Sequence, residues 1–232
     1  MRMMIAGATG YVGCHVAAES VRAGHDVVAH VRSGSTSGDR DAAALVAAGA
    51  RAVRTPWTAD DWYALLDAEM PDRLFLLLGT TAARAKAAAT GGVDASQRAV
   101  DLGLTMLAVD AARAVSPAIG HVYVSALGAS ASGNEYLRVR ATVEAALVSG
   151  PNPFTVVRPS FITGPDRGEA RTGERIGALL GDGACAVLRA LGARKRAARW
   201  ASITGPALAR LLVTLAAAPL DRCVHELDDF RA

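Results

Sequence analysis

The chain has 232 residues and a mass of 23.9 kDa, room for one domain or one domain with a modest lobe. Hydrophobic residues make up 51% and charged residues 20%, a balance that excludes a disordered or fibrous protein. A formal net charge of +3 and a sequence pI near 9.0 are too mild for a nucleic-acid binder. The basic residues are scattered, and the densest group, Arg194, Lys195, Arg196 and Arg199, reads as solvated surface. Alanine supplies 50 positions, and 23 of the 25 basic residues are Arg, leaving only Lys86 and Lys195. Any chemistry that needs a lysine therefore has two candidates. The three cysteines, Cys14, Cys185 and Cys223, form no CxxC pair, so neither a disulfide framework nor a zinc site is expected and a reducing cytoplasm fits best. Gly7, Gly10 and Gly13 break the apolar start, so it does not read as a signal peptide. The apolar stretch Leu211 to Leu220 is too short to span a bilayer, and no membrane association is expected.

Short apolar runs alternate with longer amphipathic stretches. In chain order the pattern predicts a strand at Met3–Ala6, a helix from Tyr11 closed by Gly24, a strand at Asp26–Val31 and a helix from Arg40 ending at Gly49. A short strand at Ala52–Arg54 follows, then a helix capped by Thr58 and a fully apolar strand at Leu74–Leu78. Ala95–Val115 reads as one long helix, His121–Ser125 as a strand, Asn134–Val148 as a helix and Phe154–Arg158 as a strand. Two short helices, a strand near Trp200–Ile203, a helix from Pro206 to about Ala217 and an edge strand at Val224–Leu227 complete the order. Strands alternating with helices, and apolar along their whole length, imply an α/β fold. The expected form is a Rossmann-type, doubly wound parallel sheet with helices on both faces. The expected organisation is a single domain over residues 1–232, with residues 159–200 on the substrate side as a small C-terminal lobe. Ligands of such a sheet bind beyond the carboxyl ends of its strands.

Gly7-Ala8-Thr9-Gly10-Tyr11-Val12-Gly13 lies between the first strand and the first helix. Glycines there permit a tight turn and let a backbone approach a pyrophosphate, while the helix N-terminus offers free N–H groups. Gly7, Thr9, Gly10, Tyr11, Val12 and Gly13 are thus candidate cofactor-binding residues. An NAD-specific site would place a carboxylate about 20 residues further on. The second strand instead ends His30-Val31-Arg32-Ser33. Arg32, helped by Ser33, suits a 2′-phosphate, and NADP (NADPH) is expected over NAD. Five scattered histidines show no ligand spacing, so no metal site is expected.

Eleven residues separate Ser125, at the end of the fifth strand, from Tyr136, and Arg140 stands four residues beyond on the same helical face. GATGYVG, LFLLLGTT, VSALGAS, YLRVRATVEAAL and VVRPSFITGPDRGEARTGER occur in this order. Together they resemble the atypical short-chain dehydrogenase/reductase superfamily, over nearly the whole chain. The group most similar is that of small NAD(P)H-binding, NmrA-like and Tat-interacting oxidoreductase-like proteins. The resemblance implies that Gly7, Gly10 and Gly13 hold the pyrophosphate and Arg32 meets the 2′-phosphate. It implies that Gly79, Thr80 and Thr81 line the ribose side, and that Arg158, Pro159 and Ser160 lie by the nicotinamide. Ser125 would hydrogen-bond the substrate oxygen and Tyr136 would carry the proton. Asp101 resembles a family position facing the strand ends, but also reads as an ordinary exposed helix carboxylate.

The superfamily has a lysine four residues after the tyrosine, and here that position is Arg140. Arginine could stabilise a tyrosinate and contact ribose hydroxyls, but it is larger and differs in geometry. A second departure lies after the third strand, where Arg54-Thr55-Pro56-Trp57 replaces the usual Asp. Trp57 then reads either as an apolar wall or as loop packing. The resulting expectation is an NADP-dependent oxidoreductase acting on a small carbonyl or alcohol, monomeric or homodimeric, with Ser125, Tyr136 and Arg140 as catalytic residues. The alternative is a non-catalytic NADP-binding sensor, motivated by the missing lysine. A sugar-nucleotide epimerase is disfavoured by the short chain after the sixth strand.

Overall fold

The computed structural model describes residues 1–33, 38–80, 96, 98–164 and 200–230. Seven strands form one parallel sheet: β1 (Arg2–Ala6), β2 (Asp26–Arg32), β3 (Arg51–Thr55), β4 (Arg73–Leu76), β5 (Gly120–Val124), β6 (Phe154–Arg158) and β9 (Cys223–Glu226). Their spatial order is β3-β2-β1-β4-β5-β6-β9. Two short strands, β7 (Ile162–Thr163) and β8 (Ile203–Thr204), pair in parallel outside that sheet. The helices are α1 (Tyr11–Arg22), α2 (Gly38–Ala47), α3 (Ala59–Glu69), α4 (Thr105–Val115), α5 (Glu135–Ser149) and α6 (Gly205–Ala217). This is the Rossmann-type doubly wound α/β fold expected from the sequence.

Alternation along the strands builds two cores. Met3, Ile5, Val27, Ala29, Phe75, Val122 and Val157 face α1 and α6, burying Val16, Ala17, Leu208 and Leu212. Met4, Val28, Leu74, Leu76, Tyr123 and Val156 face α3, α4 and α5, burying Trp62, Leu66, Ala108, Val109 and Val143. Strands covered on both faces are apolar on both, which is why β1 and β4 show no polar alternation beyond their first residues, Arg2 and Arg73. The side chains of Thr58, Asn134 and Thr204 accept hydrogen bonds from Asp61, Leu137 and Ala207 N–H groups, capping α3, α5 and α6.

Most boundaries shift by a residue or two, and three differences from the sequence pattern have a local reason. β4 stops at Leu76 rather than Leu78: Leu77 N–H still donates to Ala6 on β1, but beyond it side chains take the place of a neighbouring strand. The Leu78 carbonyl accepts from Arg140 and the Thr80 N–H donates to Asp101. The expected long helix over Ala95–Val115 is π-helical from Arg98 to Leu104 before α4 begins. Such wide turns concentrate at functional positions, and this one carries Asp101. The strand expected near Trp200–Ile203 is β8, shifted to Ile203–Thr204 and paired with β7 rather than with the main sheet. The two short helices expected between β7 and β8 lie outside the described residues, as does Cys185.

His121, on β5, is 1% exposed, and its burial pushes the imidazole down from the usual 6.5 to about 4, with nearby Arg113 adding to the effect. Above pH 6.5 the ring is neutral folded or unfolded and contributes no pH dependence. Between pH 6.5 and 4 only the unfolded chain takes up the proton, so stability falls as pH falls, by about 1.4 kcal/mol per unit from this group. His30, also depressed by burial, acts in the same direction. Denaturant titrations across this range are expected to show a shallower pH slope in His121→Leu, smaller by about one proton.

Candidate functional site

The order of the strands reverses at β1, whose neighbours are β2 on one side and β4 on the other. The crevice beyond the carboxyl ends of β1 and β4 is where a doubly wound sheet binds its ligand. Residues 7–13 fill its rim. Gly7 has φ +92°, and a Cβ there would stand 2.7 Å from the Leu77 carbonyl oxygen. A Cβ on Gly13 would stand 2.1 Å from the Gly7 oxygen, and one on Gly10 3.2 Å from the same atom. The loop is thus wound so tightly that its backbone is its surface. The Gly10 N–H closes it by donating to the Gly7 oxygen at 3.0 Å. α1 starts directly behind it with no acidic residue in its first turn. Its first N–H groups and positive dipole end therefore face whatever the loop cradles. This cradle of backbone and helix terminus fits a dinucleotide pyrophosphate.

The other candidate cofactor residues differ in their placement. Thr9 is exposed beside Gly10, and Val12 packs against the core below. Tyr11 turns away: its hydroxyl donates to the Thr163 carbonyl at 3.2 Å and its ring abuts Gly205, tying α1 to β7 and α6. Arg32 and Ser33 are exposed at the end of β2. Trp57 stacks on Trp62 at 4.3 Å between centroids and meets the buried His30 edge-on, so it packs the loop after β3. Gly79 and Thr80 follow β4 beside the glycine loop; Thr81 lies outside the described residues. Ser160 donates to the Ala201 carbonyl at 2.6 Å, and the Pro159 carbonyl accepts from Leu127 N–H. These two contacts hold the segment after β6 between the loop after β5 and the residues that lead into β8.

Tyr136, Arg140 and Glu144 share one face of α5 at helical spacing, and Arg140 and Glu144 reach the ends of β5 and β6. The Tyr136 ring is half-buried and rests over the Arg140 guanidinium, 5.1 Å from its centre. Arg140 is 6% exposed. It donates to Asp101 at 2.9 Å, the Tyr123 hydroxyl at 3.2 Å, the Val124 carbonyl at 3.2 Å and the Leu78 carbonyl at 3.4 Å. Burial works against its charge, but the neighbouring Tyr123, Tyr136 and Asp101 outweigh it and hold the guanidinium charged. The Tyr123 phenol is pushed up to about 12, chiefly by burial. Asp101 is fully buried, which raises its carboxyl above the usual range against the opposing pull of Arg140 and the Thr80 N–H. Asp101 therefore faces the strand ends and is no exposed helix carboxylate.

Ser125 is 3% exposed, and its hydroxyl donates to Glu144 Oε1 at 2.5 Å. Glu144 also receives Arg158, through Nε at 2.9 Å and Nη2 at 2.5 Å, and Arg158 Nη1 stands 3.8 Å from Glu226. The sequence reading missed Glu144 and Tyr123. Glu144 was findable as the third member of the i, i+4, i+8 series that begins at Tyr136. Tyr123 had no signal, since an aromatic in a buried strand usually only packs. Among the described residues, no group of three or more His, Cys, Asp or Glu side chains could hold a metal ion. No described helix is long and apolar enough to cross a membrane.

The sequence matches the model of the NAD dependent epimerase/dehydratase family over residues 3–135. The chain belongs to this family. It is an NAD(P)-binding protein of the atypical short-chain dehydrogenase/reductase type, and the match spans the glycine loop, β1 to β5 and the first residue of α5. No curated protein matches the sequence. Solved structures share the fold at low identity. ChuY, an anaerobillin reductase of Escherichia coli O157:H7, is 15% identical over 96% of this chain and 94% of its own, with a TM-score of 0.62. A short-chain dehydrogenase/reductase family oxidoreductase of Burkholderia thailandensis is 21% identical over 93% and 84%, at 0.63. The leucoanthocyanidin reductase of Vitis vinifera, in its binary complex with NADPH, is 22% identical over 70% and 50%, at 0.52.

Proposed function

We propose that this family member is an NADP-dependent oxidoreductase acting on a small carbonyl or alcohol, organised as one NAD(P)-binding domain over residues 1–232. The observation that carries the reading is Tyr136, set over a buried, charged guanidinium beside the glycine cradle. A bound nicotinamide dinucleotide supplies or accepts the hydride. Gly7, Thr9, Gly10, Val12 and Gly13 hold its pyrophosphate, Arg32 and Ser33 its 2′-phosphate, and Gly79 and Thr80 its ribose side. Arg158, Pro159 and Ser160 bound the nicotinamide end. Tyr136 gives the proton to the oxygen on which negative charge builds, or takes it in the reverse direction. Ser125 reaches that oxygen by turning its hydroxyl away from Glu144. Arg140 acts from beneath, as the fixed cation under the tyrosine ring. The missing lysine, which motivates a non-catalytic sensor, is thereby answered at its own position.

The cofactor preference rests on Arg32 and on the lack of a carboxylate at the end of β2. Titration of the protein with NADPH and NADH is expected to favour NADPH at least about tenfold, one charge-assisted contact being worth that much. Arg32→Glu is expected to abolish or reverse the preference. A wild-type preference for NADH would overturn the assignment of Arg32. Hydride turnover across a panel of carbonyl compounds tests the reaction itself.

A further inference from the structure

Arg140 is not placed as a free cation at the mouth of the site. It is 6% exposed and engaged with groups from three segments of chain: Asp101 on the π-helical turn, Leu78 after β4, and Tyr123 and Val124 on β5. Asp101 is equally committed, with one oxygen taken by Arg140 and the other accepting the Thr80 N–H at 2.7 Å. The two side chains therefore grip the turn after β4 from both sides, one at Leu78 and one at Thr80. Gly79 lies between those grips. A Cβ there would stand 3.3 Å from Arg140 Nη2 and 3.9 Å from Asp101 Oδ2. The same turn supports the glycine loop, because Gly7 packs against the Leu77 backbone and Leu77 N–H donates to Ala6.

We propose that Asp101 is a positioning residue of the dinucleotide cleft, forming with Arg140 a single buried clamp that fixes the Leu78–Thr80 turn against the glycine loop. The proposal rests on the reading of that crevice as the nucleotide site. An asparagine at 101 cannot replace the aspartate. Both partners are donors, and an amide has one acceptor oxygen, so one of the two bonds must fail. The arginine at 140 suits this geometry as a lysine would not. A guanidinium sends parallel N–H groups to several acceptors at once, whereas an ammonium is a single compact point.

The test compares wild type with Asp101→Asn and with the charge-free pair Asp101→Leu/Arg140→Met. Three readouts are taken: melting temperature, NADPH affinity, and amide exchange of Thr80 in the nucleotide-free protein. Asp101→Asn is expected to melt about 10 °C lower, because it leaves a buried charge without its counter-ion. It is expected to bind NADPH at least about tenfold more weakly, the loss of one well-placed charged contact. In the double variant, buried apolar side chains restore the melting temperature. NADPH binding stays weak there, and Thr80 exchanges faster than in wild type while Phe75 on β4 keeps its protection. Recovery of both stability and NADPH affinity in the double variant would show a merely structural pair and overturn the proposal. So would wild-type NADPH affinity in Asp101→Asn, or unchanged Thr80 exchange in the double variant. If wild type binds neither NADPH nor NADH, the cofactor reading fails separately, and Thr80 exchange still decides whether the clamp exists.

Discussion

Tyr136→Phe is expected to reduce turnover of a competent carbonyl substrate by about two to four orders of magnitude, the usual worth of a positioned proton donor. NADPH binding and melting temperature are expected to stay within error of wild type. The geometry explains why these effects separate. The ring makes the contact with Arg140, 5.1 Å from the guanidinium carbon to the ring centre, and a phenylalanine ring keeps it. Only the hydroxyl is removed. Arg140 retains its bonds to Asp101, Tyr123 and Val124, so the floor of the site is unchanged. Ser125 hydrogen-bonds the same oxygen but cannot take over as proton source, because an aliphatic hydroxyl is far less acidic than a phenol. Single-turnover rates at saturating NADPH would measure the loss directly. Equal rates for wild type and Tyr136→Phe would remove Tyr136 from the reaction.

The sheet was readable from the sequence because burial on both faces leaves a plain signature. Met3–Ala6 and Leu74–Leu76 are apolar without interruption, and the cappers Thr58 and Asn134 sit where the helices start. The glycine loop was readable for a different reason: close backbone packing leaves no room for a side chain at Gly7 or Gly13. The state of the polar residues was not readable. Periodicity placed Tyr136 and Arg140 on one face of α5 but could not say that Arg140 points inward to a carboxylate 39 positions earlier. That pairing depends on a π-helical turn, which has no sequence period to recognise. Asp101 consequently read equally well as a surface residue. Ser125 shows the same limit, since its commitment to Glu144 arises from the crossing of α5 over the strand ends. Tyr11 fell within the glycine motif by position, yet its hydroxyl serves the Thr163 carbonyl.

The glycines of the loop are not equivalent, and alanine substitution should separate them. Gly13→Ala is expected to be the most damaging, because its Cβ would meet the Gly7 oxygen at 2.1 Å, Ala8 Cα at 2.8 Å and the Gly7 carbonyl carbon at 2.8 Å. All three are backbone atoms, and none can move without shifting the loop from β1 or α1. The expected cost is about 3 kcal/mol or more, about 10 °C in melting temperature for a chain of this size. Loss of nucleotide binding should follow from the displaced loop. Gly10→Ala is a gentler probe. Its Cβ would have one close neighbour, at 3.2 Å, and Gly10 already has an ordinary φ of −77°. Stability should therefore change by under about 1 kcal/mol, while a methyl group now stands on the surface that a pyrophosphate must approach. NADPH affinity is expected to fall at least about tenfold in a protein that melts almost as wild type does, the cost of holding a phosphate off its N–H donors. Thermal melting and NADPH titration of the two variants distinguish a loop that is tight only for folding from one that is tight because a backbone must touch a ligand. If Gly10→Ala binds NADPH like wild type, the cradle is not where the pyrophosphate lies.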